Sequence, residues 1–284
     1  MPITIDGTNG ITQAGEFNSD SSFGFKNRII NGGFTINQRG YVTNTSLTSG
    51  SYGHDRWKGG ASNGTYTFTQ ASAGVNTTIT ITAGSIIQVI EGANLPEGGT
   101  YVLSWTGTAQ GKIGAGSFGA SGITGTITAG TNTNIEFNTG TCGNVQLEVG
   151  STATSFDYRS YGTELALCQR YYQQYNSTGD NAAFMAIGYC DTSSRAFCTF
   201  QFPVYMRTAP SLTVVSATSF ALYNVPADTV AASSISLAGG SSNGIVSAAT
   251  VIVNSSGVFT AGRGTVLKDA GSNANGRLQF SAEL

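Results

Sequence analysis

The sequence predicts an all-β protein with two antiparallel β-sandwich domains joined by one short α-helix. Runs rich in Val, Ile, Thr and aromatic residues recur along the chain, separated by clusters of turn residues. Glycine is abundant, with 39 among 284 residues, as expected of many tight turns. A single stretch near the middle has helical spacing and lacks Gly and Pro.

The first β domain is predicted over residues 27–160. Its opening segment, "RIINGGFTIN", is interpreted as the first strand. In "GTYTFTQA", Tyr66 and Phe68 fall on one face, and in "TYVLSWTG" the inward face carries Tyr101, Leu103 and Trp105. About seven to nine such runs at regular spacing are typical of an antiparallel sandwich.

The stretch "TELALCQRYYQQY" interrupts this pattern and predicts a linking helix over residues 161–177. Large tyrosine side chains suit the boundary between two packed bodies. We therefore expect four residues to cover a seam between the domains or between subunits: Leu165, Tyr171, Tyr172 and Tyr175.

Strands resume in the second β domain, residues 178–284. In "RAFCTFQFPVYM", Phe200, Phe202 and Met206 share the inward face, and Pro203 indicates an edge or a bulge. Residues 1–26 are polar and glycine-rich and cannot bury a core of their own. We expect this segment to be an extended arm that attaches the protein to other subunits.

Composition excludes several classes of partner. Lys and Arg total 13 against 15 Asp and Glu, which gives no basic surface for nucleic acid and no polybasic membrane patch. No run approaches the roughly 20 apolar residues of a membrane helix, so no membrane insertion is expected. The N-terminus has no signal-peptide pattern, which predicts assembly in a reducing cytoplasm. With one histidine and four cysteines, none in a CxxC pair, we expect free thiols, no metal and no cofactor.

The segment "YGHDRW" holds the most distinctive local cluster. Trp57 either fills the sandwich core, with Asp55 and Arg56 bonding a nearby loop, or stacks on a sugar ring with Asp55 as a polar partner. Asp55 and Trp57 are therefore the candidate ligand-binding residues. His54 and Asp55 are neighbours on the chain, so on a strand they would face opposite sides and could not act as a catalytic pair.

No enzymatic constellation stands out. There is no GxSxG motif, and no spacing singles out a carboxylate pair of the kind that glycosidases use. The available carboxylates are Asp55, Glu91, Glu97, Glu136, Glu148 and Asp157. Glu148 and Arg159 could pair across the closing strand and the linker, as an ordinary surface ion pair. We predict a protein that is not an enzyme.

Several segments together carry a family resemblance. "NRIINGGFTINQRG" followed by "HDRW", then "VQLEVGSTATSFDYRSYGTELALCQRYYQQY", then "FPVYMRTAPSLTV" and "GRLQFSAEL", resemble tailed-bacteriophage tail fibre or minor tail proteins. The resemblance covers residues 27–284 in fragments and implies a jelly-roll module similar to carbohydrate-binding ones, followed by a distal β domain at the tip. It also implies a homotrimer.

The function expected from this resemblance is that of a virion structural protein. We expect a short homotrimeric tail fibre that binds other virion proteins through its N-terminal arm and contributes to host adsorption through surface polysaccharide. The sequence has no heptad tract or repeat for a long shaft. A capsid fibre or decoration protein with a purely structural role stays open, and so does a glycan depolymerase.

Overall fold

The computed structural model describes residues 4–6, 10–12, 25–69, 74–179, 183–224, 228–239, 246–257, 259–271 and 275–284. Strands dominate these residues, and they contain one α-helix, so the all-β prediction is confirmed. The chain divides into two compact units, Met1–Glu164 and Leu165–Leu284. Each unit has its own hydrophobic core.

The described residues of the N-terminal unit form nine strands. They are β1 Thr4–Asp6, β2 Gly10–Thr12, β3 Lys58–Thr67, β4 Ile79–Ile90, β5 Gly99–Thr106, β6 Gly111–Ile113, β7 Ile123–Ile127, β8 Thr133–Phe137 and β9 Gly140–Val149, with a 3-10 turn at Gly92–Asn94. Strands β1 and β2 pair antiparallel with each other. They belong to the predicted arm, whose other residues up to 24 lie outside the described ones.

The remaining seven strands form one antiparallel sheet in the order β6-β8-β4-β9-β5-β7, with β3 also paired to β4. Strands β6 and β7 are consecutive in the chain, yet they occupy the two ends of this order. Aromatic side chains fill the core between the sheet faces, where Trp105 packs edge-on against Phe137 at 4.9 Å. Tyr101, Leu103 and Trp105 are all buried, as their alternation predicted.

The segment predicted as the opening strand is irregular instead. Residues 25–57 contain isolated bridges and turns but no regular strand. Asn31 and Phe34 have φ of 57° and 51°, the left-handed region that a strand cannot contain. The Asn31 side chain closes this loop, because it donates to the carbonyl of Ile36 at 2.8 Å and accepts from its N–H at 2.9 Å. The preference of the Asn-Gly-Gly sequence for a turn therefore outweighed the preference of the flanking apolar residues for a strand.

The helix is shorter than predicted. Helix α1 spans Tyr161–Gln169, and strand β10, Tyr172–Asn176, follows at once. The Tyr171 N–H donates to the carbonyl of Cys168 at 2.9 Å and ends the helix. The prediction was wrong beyond Gln169 because Tyr-rich sequence also favours strands, and here an antiparallel partner strand, Arg277–Ser281, is in place.

The predicted seam residues therefore do not share one helical stripe. Leu165 lies on α1, Tyr171 follows the end of the helix, and Tyr172 and Tyr175 belong to β10. Tyr171 and Tyr172 are buried. The Tyr175 ring packs 4.7 Å from that of Phe200, within the core of its own C-terminal unit. A seam between units or between subunits stays a prediction for these side chains.

The C-terminal unit contains strands β10 to β18. After β10 they are β11 Phe184–Cys190, β12 Arg195–Gln201, β13 Ser211–Val215, β14 Phe220–Asn224, β15 Asp228–Leu237, β16 Ala248–Ser255, β17 Gly264–Asp269 and β18 Arg277–Ser281, with a 3-10 turn at Ala217–Ser219. Six of them close a barrel in the order β11-β12-β16-β15-β14-β17. The other three form a sheet in the order β10-β18-β13.

The barrel core follows the predicted alternation of β12. Ala196, Cys198 and Phe200 are buried, and the strand ends at Gln201, shortly before Pro203. Phe202 and Met206 continue the buried set beyond the strand. All four cysteines are buried, and none is in a disulfide bond.

Candidate functional site

A groove of about 560 Å³ opens beside β7 in the N-terminal unit. We call it the edge groove, and it is lined by residues 113–117, 123–128 and 131–134. It lies where the two end strands of the sheet, β6 and β7, come near each other. A Cβ at Gly125 would stand 3.1 Å from the Cβ of Ile113, which shows how closely the two strands approach.

The groove begins where the pairing of β6 stops. Gly111 and Gly119 exchange two backbone hydrogen bonds of 3.0 and 2.9 Å across the loop that connects β6 to β7. Beyond this bridge, the described residues of β6 and β7 form no ladder with each other. The outer edge of β7 is therefore left without a partner strand.

Backbone groups of β7 point into this opening. Gly150 N–H donates to the carbonyl of Thr100 at 2.9 Å, on the side of β5 that faces β9. Because antiparallel strands alternate, Thr100 and Thr126 form a non-hydrogen-bonded pair, and so do Val102 and Thr124. The backbone N–H and C=O of Thr124 and Thr126 thus face away from β5, toward the groove.

The side chains of the groove are polar but uncharged. Thr124, Thr126 and Asn134 are exposed, and their side chains make no hydrogen bond within the part of the chain that the structure describes. Ile123 is partly exposed and supplies apolar contact surface, whereas Ile113 and Ile127 lie buried beneath it. No lining residue is Asp, Glu, Lys, Arg or His. The described lining therefore offers neutral hydrogen-bonding groups and no ionisable side chain.

Trp57 and Asp55, the sequence-predicted ligand residues, are in the interior. The Trp57 ring is fully buried, stacks on Phe34 at 5.0 Å between ring centroids, and donates its indole N–H to the carbonyl of Asn31 at 3.0 Å. The Asp55 carboxylate accepts from the backbone and side-chain nitrogens of Gln38 at 2.6 and 2.8 Å. Trp57 has no open face for a sugar, so the core alternative holds and the sugar-platform alternative is wrong for this conformation.

His54 is also buried, among aromatic rings. Its Nδ1 lies 2.9 Å from the hydroxyl of Tyr66, and the Phe68 ring centroid is 4.5 Å away, edge-on. Burial lowers the pKa of His54 to about 4, so the ring is neutral at physiological pH. Nε2 has no hydrogen-bond partner. A buried, neutral ring enclosed by aromatic side chains serves packing.

The candidate carboxylates of an enzyme have structural partners. Glu136 binds Lys112 at 2.8 Å and accepts from the Ser85 hydroxyl at 2.6 Å. Glu97 pairs with Arg28 at 2.5 Å. Among the described residues, no group of three or more His, Cys, Asp or Glu could hold a metal ion.

Glu148 and Arg159 could have paired with each other at the surface, but both are buried and bind other partners. Glu148 accepts from the Thr154 N–H at 2.8 Å and from its hydroxyl at 2.7 Å. Arg159 donates to the carbonyls of Asn27 and Ile29 and pairs with Glu164 at 3.3 Å. Gln146 and Asp157 connect these contacts, which hold the segment after β9 against residues 27–31.

A second surface feature lies on the outside of the barrel. Phe184, Ile187 and Tyr189 on β11 are 61%, 77% and 51% exposed, and we call them the β11 face. A depression of about 530 Å³ beside them is lined largely by apolar residues, Val266 among them. Tyr189 stacks on Phe197 of β12 at 5.6 Å between ring centroids. Exposed apolar side chains grouped in this way are typical of interaction surfaces.

Comparisons with known proteins add no identification. Neither family models, nor curated proteins, nor solved structures match this chain. In the described part of the chain, α1 is too short to cross a membrane and no other helix qualifies. The edge groove and the β11 face are the surface features that bear on function.

Proposed function

We propose that the protein is a non-enzymatic structural protein of a phage virion, a short homotrimeric tail fibre that contributes to host adsorption by binding a cell-surface glycan in the edge groove. One observation carries the glycan-binding part. The groove combines free hydroxyl, amide and backbone groups with an isoleucine floor and has no charged lining residue. The phage context rests on the sequence resemblance.

Glycans match this lining chemically. A sugar presents many neutral hydroxyl groups that both donate and accept, and the threonine and asparagine side chains do the same. Its C–H faces contact apolar surface, which the partly exposed Ile123 supplies above the buried Ile113 and Ile127. Ligand sites in general combine apolar walls with a few placed polar groups. The lack of an acid or base in the groove favours binding without cleavage.

The free edge of β7 supports the same proposal. Natural proteins protect exposed sheet edges with lysine, proline or a covering loop, because a bare edge recruits other strands. Strand β7, "ITGTI", has none of these residues. An unprotected, uncharged strand edge that faces a groove is explained if a ligand forms hydrogen bonds with its backbone groups.

The β11 face supports self-association, which a homotrimer requires. Three large apolar side chains on one strand are unusual on a surface that only meets water. Fully burying aliphatic or aromatic side chains of this size contributes roughly 1.5–3 kcal/mol each. We further propose that the N-terminal arm binds other virion proteins. On this proposal the protein assembles in the host cytoplasm and is part of the mature virion.

A glycan array with purified protein tests the binding. Wild-type protein should bind at least one neutral bacterial surface glycan, and Thr126→Arg, which puts a bulky charge in the groove, should remove that signal. Thr80→Ala changes an exposed strand threonine outside the groove and should bind as wild type. Absence of any glycan signal would favour a capsid fibre or decoration protein. Release of reducing ends from bacterial polysaccharide would instead indicate a depolymerase.

Light scattering tests the trimer separately. Wild-type protein should have three times the mass of the chain at micromolar concentration. Ile187→Asp should shift it toward the monomer, because burying an unpaired charge in an interface is costly. Thr229→Asp, at an exposed position on β15, is the matched control and should stay associated. A wild-type monomer would refute the trimer while leaving the groove untouched.

A further inference from the structure

We infer that the edge groove recognises the acetamido group of a neutral, N-acetylated glycan, an inference that rests on the proposed glycan binding. An acetamido group is a small peptide unit. It carries one N–H donor, one C=O acceptor and a methyl group on a planar frame. The lining of the groove has a complement for each of these three parts.

The polar parts correspond to the free edge of β7. The outward backbone groups of Thr124 and Thr126 are two residues apart on one strand, so their N–H and C=O groups alternate along the groove wall. A neighbouring strand would pair with such an edge through peptide groups, and peptide ligands do so when they extend a sheet. In a trans acetamido group the N–H and C=O point in opposite directions, so its C=O can accept from the outward N–H of Thr126 while its own N–H points across the groove.

The methyl part corresponds to the isoleucines. Ile123 and Ile127 alternate with the two threonines along β7, and Ile113 packs against Gly125 between them. All three line the groove. Burying the acetamido methyl group contributes less binding free energy than burying a whole apolar side chain. This contribution favours an N-acetylated sugar modestly over a sugar without the methyl group. A hydroxyl at the same position would lose this contact.

The absence of charge in the groove sets the limits of the ligand class. Carboxylate and phosphate groups are usually bound by arginine or lysine, and the lining offers neither. Lys112 adjoins Ile113 in sequence, but its ammonium lies 2.8 Å from Glu136 and 4.7 Å from the centre of the Phe118 ring, and it is not part of the lining. A free amine, the product of de-N-acetylation, would find no carboxylate. Uronic, phosphorylated and de-N-acetylated sugars are therefore disfavoured.

Three tetrasaccharides with the same β-1,4 backbone test this inference. They are the tetramer of N-acetylglucosamine, cellotetraose and fully de-N-acetylated chitotetraose, which differ only in the group at carbon 2. Titration calorimetry with the full chain should give about tenfold tighter binding of the N-acetylated tetramer, the factor expected of one additional net hydrogen bond and a methyl contact. The isoleucine methyl NMR signals of the groove should shift on binding.

Three variants locate the interaction. Thr126→Pro removes an N–H that points outward and takes no part in the ladder with β5, a replacement that sheet edges tolerate. It should abolish the preference for the N-acetylated tetramer. Thr126→Ala keeps the N–H and should retain the preference. Ile123→Thr should reduce it without touching the backbone, and the tryptophan fluorescence melt reports whether each variant is folded.

The outcomes separate the inference from the function beneath it. Equal binding of cellotetraose and the N-acetylated tetramer would overturn the acetamido inference and leave glycan binding in place. Binding of none of the three tetramers, with a positive glycan array, would also overturn the inference alone. A negative array together with binding of an extended strand peptide would overturn both, because the edge would then serve protein pairing.

Discussion

Replacing Arg159 by methionine should destabilise the N-terminal unit by about 3 kcal/mol. The Arg159 side chain is 6% exposed and pairs with Glu164 at 3.3 Å. It also donates to the carbonyls of Asn27 and Ile29. Removing one member of a buried ion pair costs about 3–5 kcal/mol, because the remaining charge keeps its burial without its partner. The lower end applies here, since Glu164 still accepts a hydrogen bond from Asn31.

Tryptophan fluorescence measures this change in the full chain. The protein has two tryptophans, Trp57 and Trp105, and both belong to the N-terminal unit. For a unit of this size a loss of 3 kcal/mol corresponds to a lower melting temperature by roughly 6–12 °C. Arg277→Met removes an exposed arginine from β18 of the C-terminal unit, and the fluorescence transition should then stay within about 0.5 kcal/mol of wild type.

A double variant tests the cause of the loss. Glu164→Gln keeps an acceptor for Asn31 but removes the charge, so Arg159→Met with Glu164→Gln should lose less than the sum of the two single losses. Additive losses would show that the ion pair contributes nothing beyond its separate hydrogen bonds. A fluorescence transition of Arg159→Met within 0.5 kcal/mol of wild type would refute the reasoning altogether.

Three further predictions concern titration and thiols. Burial lowers the pKa of His54 from 6.5 to about 4, so between these pH values the unfolded state binds more protons than the folded state. The stability of the N-terminal unit, measured by tryptophan fluorescence, should be full above pH 6.5 and fall by about 3 kcal/mol toward pH 4. His54→Gln should remove this pH dependence. Burial alone would raise the pKa of Asp269, but the N–H donors of Gly271, Thr178 and Gly179 outweigh burial and lower the pKa. The C-terminal unit should therefore lose stability as the pH falls below the ordinary pKa range of an aspartate. Asp269→Asn should reduce this loss, measured in melts followed by tyrosine fluorescence. Burial raises the pKa of Cys198 to about 12, and all four cysteines are buried with no disulfide among them. A thiol reagent without reductant should therefore label none rapidly in native protein and four in denatured protein, measured by intact mass.

The strand content could be predicted from the sequence because alternation is a local property. In β5 the inward positions Tyr101, Leu103 and Trp105 follow directly from the period of two. The end of α1 could not be predicted in the same way. The sequence after Gln169 fits either a helix or a strand, and the choice depends on Arg277–Ser281, a partner more than 100 residues away in sequence. The closure of the second sheet into a barrel likewise depends on which strands become neighbours.

Aromatic residues gave a misleading signal for the ligand site. Trp57 stands in the most distinctive cluster of the sequence, beside a histidine, an aspartate and an arginine, and such clusters occur in sugar sites. The structure uses the same residue types to build an interior, where Phe34 stacks on the indole and Asn31 accepts its N–H. A sequence shows that a tryptophan has polar neighbours, but burial decides whether a ligand can reach it.

The edge groove had no signal in the sequence beyond an ordinary strand. "GITGTITAG" reads as a short β run with threonines on one side, and many strands of this protein look the same. What distinguishes β7 is its place at the end of the order β6-β8-β4-β9-β5-β7, which exposes the backbone of Thr124 and Thr126. That place follows from the pairing of β5 with β9 on its other side, a long-range choice. Because the bare edge arises from topology, its recognition chemistry lies in the backbone, and a proline at position 126 tests it more directly than any change of side chain.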